Sequence, residues 1–91
     1  MSATRQLNPL RAARVLCDEE GLPTVISWQP RTPGRRRRRR RVELVLDRWH
    51  VDDAWWTGAP VRRIYHECQL VGGQRVLAVY DQLAGSWHVQ R

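Results

Sequence analysis

An all-β domain is the fold class this sequence predicts, and three observations lead to it. Six short β-competent segments recur along 91 residues, turn signals separate them, and no amphipathic helical window of any length interrupts them. So small a sheet must curl into an open barrel, or fold over on itself, to hide its apolar face. The expected architecture is a meander of six short antiparallel strands over residues 13–91, preceded by an irregular N-terminal arm, 1–12. One domain is the limit, since a second core cannot be closed with the length that remains.

Residues 1–12 contain Asn8-Pro9 and no sustained periodicity, as an irregular arm would. Ala13-Arg14-Val15-Leu16-Cys17 is the first strand, Asp18-Glu19-Glu20-Gly21 a turn cluster whose glycine can take positive φ, and Thr24-Val25-Ile26-Ser27-Trp28 the return strand of a hairpin. Gln29-Pro30-Arg31-Thr32-Pro33-Gly34 cannot be a central strand, because its two prolines remove donors and Gly34 breaks the pattern. It is a loop, and the arginines that follow extend it to residue 41. Strand character returns over 42–51, where apolar parity shifts from Val42, Leu44 and Leu46 to Trp49 and Val51; a bulge or bend near Asp47-Arg48 would account for the shift.

The segment 52–60 ends in Gly58 and Pro60 and is expected to be a connection whose tryptophans, Trp55 and Trp56, cap the core. A fourth strand over 61–71 carries Ile64, Cys68 and Leu70 on one face. Gly72-Gly73 signals a tight turn into a fifth strand at 75–81. Gln82-Leu83-Ala84-Gly85 turns the chain into a sixth, 86–90, with Trp87 and Val89 on one side.

The net charge of +7 is a local feature. Residues 1–30 balance, and residues 42–91 carry five arginines against six acids, so the excess lies in Arg31 and the seven-arginine run. All sixteen basic residues are arginine, which reflects a GC-rich coding genome more than selection for guanidinium at every site. Such a run could even be a codon-repeat expansion in a tolerant loop. Cys17 and Cys68 belong to no CxxC pair, the opening MSATRQLNPL lacks the apolar region of a secretory leader, and no long apolar stretch occurs. The expectation is a cytoplasmic protein with reduced thiols, no membrane segment and no cofactor.

The order Val25-Ile26-Ser27-Trp28, then residues 41–49, then Asp52-Asp53-Ala54-Trp55-Trp56, then Pro60-Val61-Arg62-Arg63-Ile64-Tyr65, and finally Tyr80-Asp81-Gln82-Leu83-Ala84-Gly85-Ser86-Trp87 resembles a small domain of unknown function from GC-rich bacteria. That domain occurs as a free-standing short protein. It is also similar to the region after the catalytic-like core in Y-family DNA-polymerase-like proteins of the damage-inducible mutagenesis cassette. The resemblance spans about residues 7–91 and rests on the Trp-Trp pair and the closing Asp-x-x-x-Gly-x-Trp. It implies a place near translesion synthesis without polymerase activity, because none of the metal-binding carboxylates of a polymerase falls in this segment. The arginine-rich loop is longer than the family pattern, and His66 and Cys68 stand where aromatic or aliphatic strand residues are expected.

Two groups of residues are candidates for binding. Arg31, Arg35, Arg36, Arg37, Arg38, Arg39, Arg40 and Arg41 could track a DNA or RNA backbone without reading bases, releasing counterions as they do so. The plainer reading is a solvated loop that the fold does not need. Trp55 and Trp56 could stack on unpaired bases, although in a chain without Phe they are wanted for core volume. Asp52-Asp53 lacks a third acid for metal catalysis and suits a turn cap better. His50, His66, His88, Cys17 and Cys68 match no zinc-ribbon or knuckle spacing. No nucleophile elbow occurs. The expected function is a non-enzymatic accessory module that binds nucleic-acid phosphates; the competing class is a protein-interaction domain docking on a DNA-repair or translesion polymerase partner through a Trp-rich surface or a free sheet edge.

Overall fold

Strand pairing starts two residues earlier than the sequence pattern suggests. In the computed structural model, which describes residues 10–53, 58 and 60–91, β1 spans Arg11–Cys17, followed by β2 Pro23–Trp28, β3 Arg38–Asp53, β4 Val61–Leu70, β5 Arg75–Asp81 and β6 Ser86–Gln90. Arg11 and Ala12, expected in the arm, pair with Val89 and His88 of β6. That contact closes the meander: each strand lies antiparallel to its chain neighbour, and β1 meets β6 to complete a six-stranded barrel. Closure leaves no long apolar face to cover and pairs the donors that two terminal strands would otherwise expose.

The turns are built as their residues dictate. The Asp18 carboxylate accepts from the N–H of Glu20 and of Leu22 at 2.9 and 3.0 Å, an Asx-type cap on the first hairpin, while Gly21 takes φ 82°. Asp81 repeats the device at the β5–β6 turn, accepting from Leu83 and Ala84 N–H at 3.0 Å each. The Ala84 bond above all, helped by the Leu83 bond, holds the Asp81 carboxyl below its ordinary range against the opposing effect of desolvation.

Ile26, Trp28, Cys68, Leu70, Val76, Ala78 and Val89 form the barrel core, with Ala13, Val15, Val42, Val45 and Trp87 packed against it. Trp28 is the largest of them and is 1% exposed. The alternation of β4 places His66, Cys68 and Leu70 inward together, so the two residues that departed from an apolar strand pattern are core residues. Backbone carbonyls satisfy both: His66 Nδ1 lies 3.1 Å from Ala78 O, the geometry of a donated bond, and Cys68 Sγ lies 3.6 Å from His66 O. Burial pushes the Cys68 thiol up to about 11 and lowers the His66 imidazole below its ordinary 6.5.

Strand β3 corrects the sequence expectation in two places. The first concerns parity. Instead of one irregularity at Asp47-Arg48, the register against β4 shifts between Val42 and Leu44 and again between Val45 and Asp47. Each extra residue resets the alternation, so Val42 and Val45 reach the core, while Leu44 and Trp49 stay on the surface, Trp49 stacked on Tyr65 at 5.4 Å. Two shifts so close together bend the strand, which pairs with β2 over its first four residues and with β4 from Val42 onward.

The second correction concerns the arginine run. Arg38, Arg39, Arg40 and Arg41 are strand, not loop: they pair with Trp28, Ser27, Ile26 and Val25 and supply every β2–β3 partner. A uniform cationic run has no hydrophobic alternation, so its sequence pattern cannot separate strand from loop, whereas ladder bonds use only the backbone. The fold therefore uses four of the seven arginines in a run that the sequence suggested it could lose. Deleting the whole run, 35–41, is expected to abolish cooperative unfolding, while changing residues 38–41 to Thr keeps a sigmoidal melt, each site shifting stability by no more than about 1 kcal/mol, the span of strand propensity; circular dichroism melts read both.

His66 gives a pH signature. Its folded-state value is depressed, so the stability tied to neutral His66 is full above the ordinary value of 6.5 and is lost as pH falls from there toward the folded value. Melting temperature should decline across that interval, and His66→Gln should melt lower at every pH with a flatter decline; an equally steep decline in the variant would assign the effect elsewhere.

Candidate nucleic-acid interface

An up-and-down antiparallel barrel brings the starts of its odd strands and the ends of its even strands to one end. Here that end gathers the start of β1, the β2–β3 loop, the start of β3, the β4–β5 turn and the C-terminus. The segments that form it, 28–42, 70–76 and 88–91, contain no Asp or Glu. They carry Arg31, all of residues 35–41, Arg75 and Arg91, and Arg11 joins them from β1. The opposite end collects Asp18, Glu19, Glu20, Asp52 and Asp81 together with Arg62 and Arg63, Arg62 lying 3.5 Å from Asp52. The net charge of +7 is thus concentrated toward one end of the barrel axis.

The loop before β3 is ordered by its own side chains. Thr32-Pro33-Gly34-Arg35 is a type II turn: the Arg35 N–H donates to Thr32 O at 3.3 Å, Pro33 presets the second position, and Gly34 takes φ 80° at the third. Gln29 Nε2 donates to Arg35 O at 2.8 Å across the loop. Arg37 is pinned by Ser27, whose hydroxyl accepts from Nε at 2.6 Å and whose carbonyl accepts from Nη2 at 3.0 Å. Beyond it the strand sorts the cations by face. Arg38 and Arg40 lie opposite Trp28 and Ile26, Arg39 and Arg41 opposite Ser27 and Val25, and all four stay exposed. For the inward pair this means laying an apolar stem over the core and keeping the charge in water.

Sequence reasoning named Arg31 and residues 35–41 and missed three arginines that the fold adds. Arg11, Arg75 and Arg91, scattered singly along the chain, join Arg31 and Arg38 in lining a cleft of about 530 Å³ beside Trp28. Arg11 Nη1 donates to Gln29 O at 3.1 Å, and the Arg91 guanidinium stands 5.4 Å from the Trp28 ring centroid. Arg75 has Glu67 as a distant counter-charge at 3.8 Å, in a pair that is largely exposed and therefore weak. The signal that could have found the three was positional, since each stands at the edge of a segment bound for the same barrel end.

Trp55 and Trp56, named as base-stacking candidates, lie outside the described residues, as do residues 54–57 generally. Of the metal-ligand candidates, His66 and Cys68 are committed to the core, and the described residues hold no group of three or more His, Cys, Asp or Glu placed to bind a metal. No helix among the described residues is long and apolar enough to cross a membrane. No protein-family model, curated protein or solved structure matches this chain.

Proposed function

We propose that the protein is a non-enzymatic, cytoplasmic nucleic-acid-binding module whose arginine-bearing barrel end grips phosphates without reading sequence. The observation that carries this reading is the segregation of charge: an end formed by segments without an Asp or Glu side chain, set opposite an end where acids outnumber arginines. A polarised barrel presents its cationic end to a polyanion during encounter and repels it from the other. Arg39 and Arg41 stand on the outer face of a strand and Arg35 and Arg36 on a hydrogen-bonded loop, so the phosphate contacts would sit on a rigid platform. A place in bacterial DNA-damage tolerance is supported by the family resemblance of the strand and Trp-Trp motifs alone.

The test is a band-shift titration of single-stranded DNA across a salt series, comparing the native chain with one in which Arg35, Arg36, Arg39 and Arg41 are Thr. These changes spare the turn, the Arg37 bonds and the cleft. Affinity should fall linearly on a log–log plot against salt, and the variant should bind more weakly, with a slope flatter by about 0.7 for each phosphate it no longer neutralises. Equal affinity and equal slope would refute the reading.

One observation favours docking on a protein instead. Among the described residues, nothing pairs with the side of β3 that faces away from β4 beyond Arg41, and Leu44, Leu46 and Trp49 are exposed there. A free edge flanked by apolar side chains is a template for an added strand. On that reading Leu44→Lys removes a protein partner that survives both nuclease treatment and loop neutralisation. Loss of every partner on nuclease treatment favours nucleic acid.

A further inference from the structure

We infer that the cleft at the arginine-bearing end is a phosphomonoester pocket, built to hold a terminal phosphate as distinct from a passing backbone. The inference rests on the nucleic-acid reading for the molecule that delivers the phosphate, and on the cleft itself for the chemistry.

The outer row of arginines and the cleft differ in shape. A strand and its loop offer cations along a line, which suits successive phosphodiesters of one charge each. The cleft instead converges Arg11, Arg31, Arg38, Arg75 and Arg91, drawn from both ends of the chain, around one concavity of about 530 Å³. No Asp or Glu side chain is among the residues that line it. Guanidiniums gathered around one concavity repel one another when it is empty, and the ligand that relieves most of this repulsion is a small group with more than one charge. A phosphomonoester carries about −1.5 to −2 at neutral pH and offers three acceptor oxygens, and the planar fork of Arg matches them two at a time. A chain terminus can enter a concavity of this size, whereas a continuous backbone has to pass over its mouth.

Two of these arginines, Arg11 and Arg91, are held in place before any ligand arrives. Gln29 O fixes Arg11. With the Gln74 amide turned so that its oxygen faces the C-terminus, that oxygen accepts from Arg91 Nη2 at 2.7 Å and Nε at 3.1 Å, while the same guanidinium lies against Trp28. Trp28 itself is 1% exposed, and its Nε1 has no hydrogen-bond partner among the described residues. A buried indole N–H without an acceptor is rare and costly in a finished core. Here it belongs to the one core side chain that also lines the cationic cleft.

The experiment uses two single-stranded oligonucleotides of one sequence, one with a 5′-phosphate and one with a 5′-hydroxyl, together with inorganic phosphate and adenosine monophosphate as free probes. The 5′-phosphorylated strand should bind about tenfold more tightly, the scale of one net charge-assisted hydrogen bond. Arg75→Gln with Arg91→Gln should erase that difference while leaving the hydroxyl strand bound. Arg75→Gln alone, at an exposed position, should reduce it, and melting curves show that each variant is folded.

Free phosphate and adenosine monophosphate, followed through Trp fluorescence, should bind the native chain and the four-Thr loop variant alike, and the Gln pair weakly. Equal affinity for the two oligonucleotides in the native chain overturns the terminal-phosphate assignment. Free-probe binding that the Gln pair leaves unchanged overturns the pocket altogether. If no oligonucleotide binds, the nucleic-acid reading fails by itself. Retained binding of the free probes, lost in the Gln pair, then establishes the cleft as a pocket for a free phosphate ester.

Discussion

The bend in β3 is the constraint on which the rest of this structure depends. A strand can belong to two neighbours along different stretches only if its path turns, and the two register shifts after Val42 and Val45 supply that turn. Because of it, the first four residues of β3 reach back to β2 while the remaining twelve run beside β4. Without the bend β2 would have no second partner, β1 would not be carried round to meet β6, and Trp28 would lie on an open sheet. Val42 and Val45, the two inward residues that the shifts select, tie the bend to the same core that closure buries.

Closure in turn organises charge. In an open meander, arginines at the ends of β1, β5 and β6 would be spread along a ribbon. Rolling the ribbon into a barrel brings strand termini that are far apart in sequence to one rim, and the antiparallel order decides which rim. The connections that cross the other rim are built around carboxylates for a local reason: Asp18 and Asp81 each accept two backbone N–H bonds that their turns need. Turn chemistry at one end and arginine at the other thus produce a dipolar molecule, and no residue has to be placed for long-range electrostatics alone.

The strand inventory was legible in the sequence because turn residues and alternation carry it. All six strands fall where β-competent segments stand, and Gly21, Gly34, Gly72, Gly73 and Gly85 take positive φ in the connections between them. What the pattern could not carry was anything that depends on the backbone alone. Arg38 to Arg41 pair as strand with no apolar partner in the alternation, and Arg11 and Ala12 pair with β6 with no periodicity to announce it. The facing of β3 was misread for a related reason. Leu44 and Leu46 look inward by parity from Val42, but the extra residues at Glu43 and Leu46 hand the inward positions to Val45 and, past it, to Arg48 opposite His66. Of the site, the linear part could be seen as a charge run; the part assembled from Arg11, Arg75 and Arg91 exists only once the barrel closes.

The pairing of β2 with an unbroken run of one residue type has a consequence for how this locus can vary. Every position opposite Val25, Ile26, Ser27 and Trp28 is arginine, so sliding the run by one residue presents the same side chains to the same partners. Register is fixed from outside the run, by Val42 in the core and by the Thr32-Pro33-Gly34-Arg35 turn. An arginine codon gained or lost by replication slippage would therefore be absorbed in the short stretch between that turn and β3, with the barrel and its inward residues unmoved. The tract is a segment whose length can drift under mutation while the architecture that displays it stays the same.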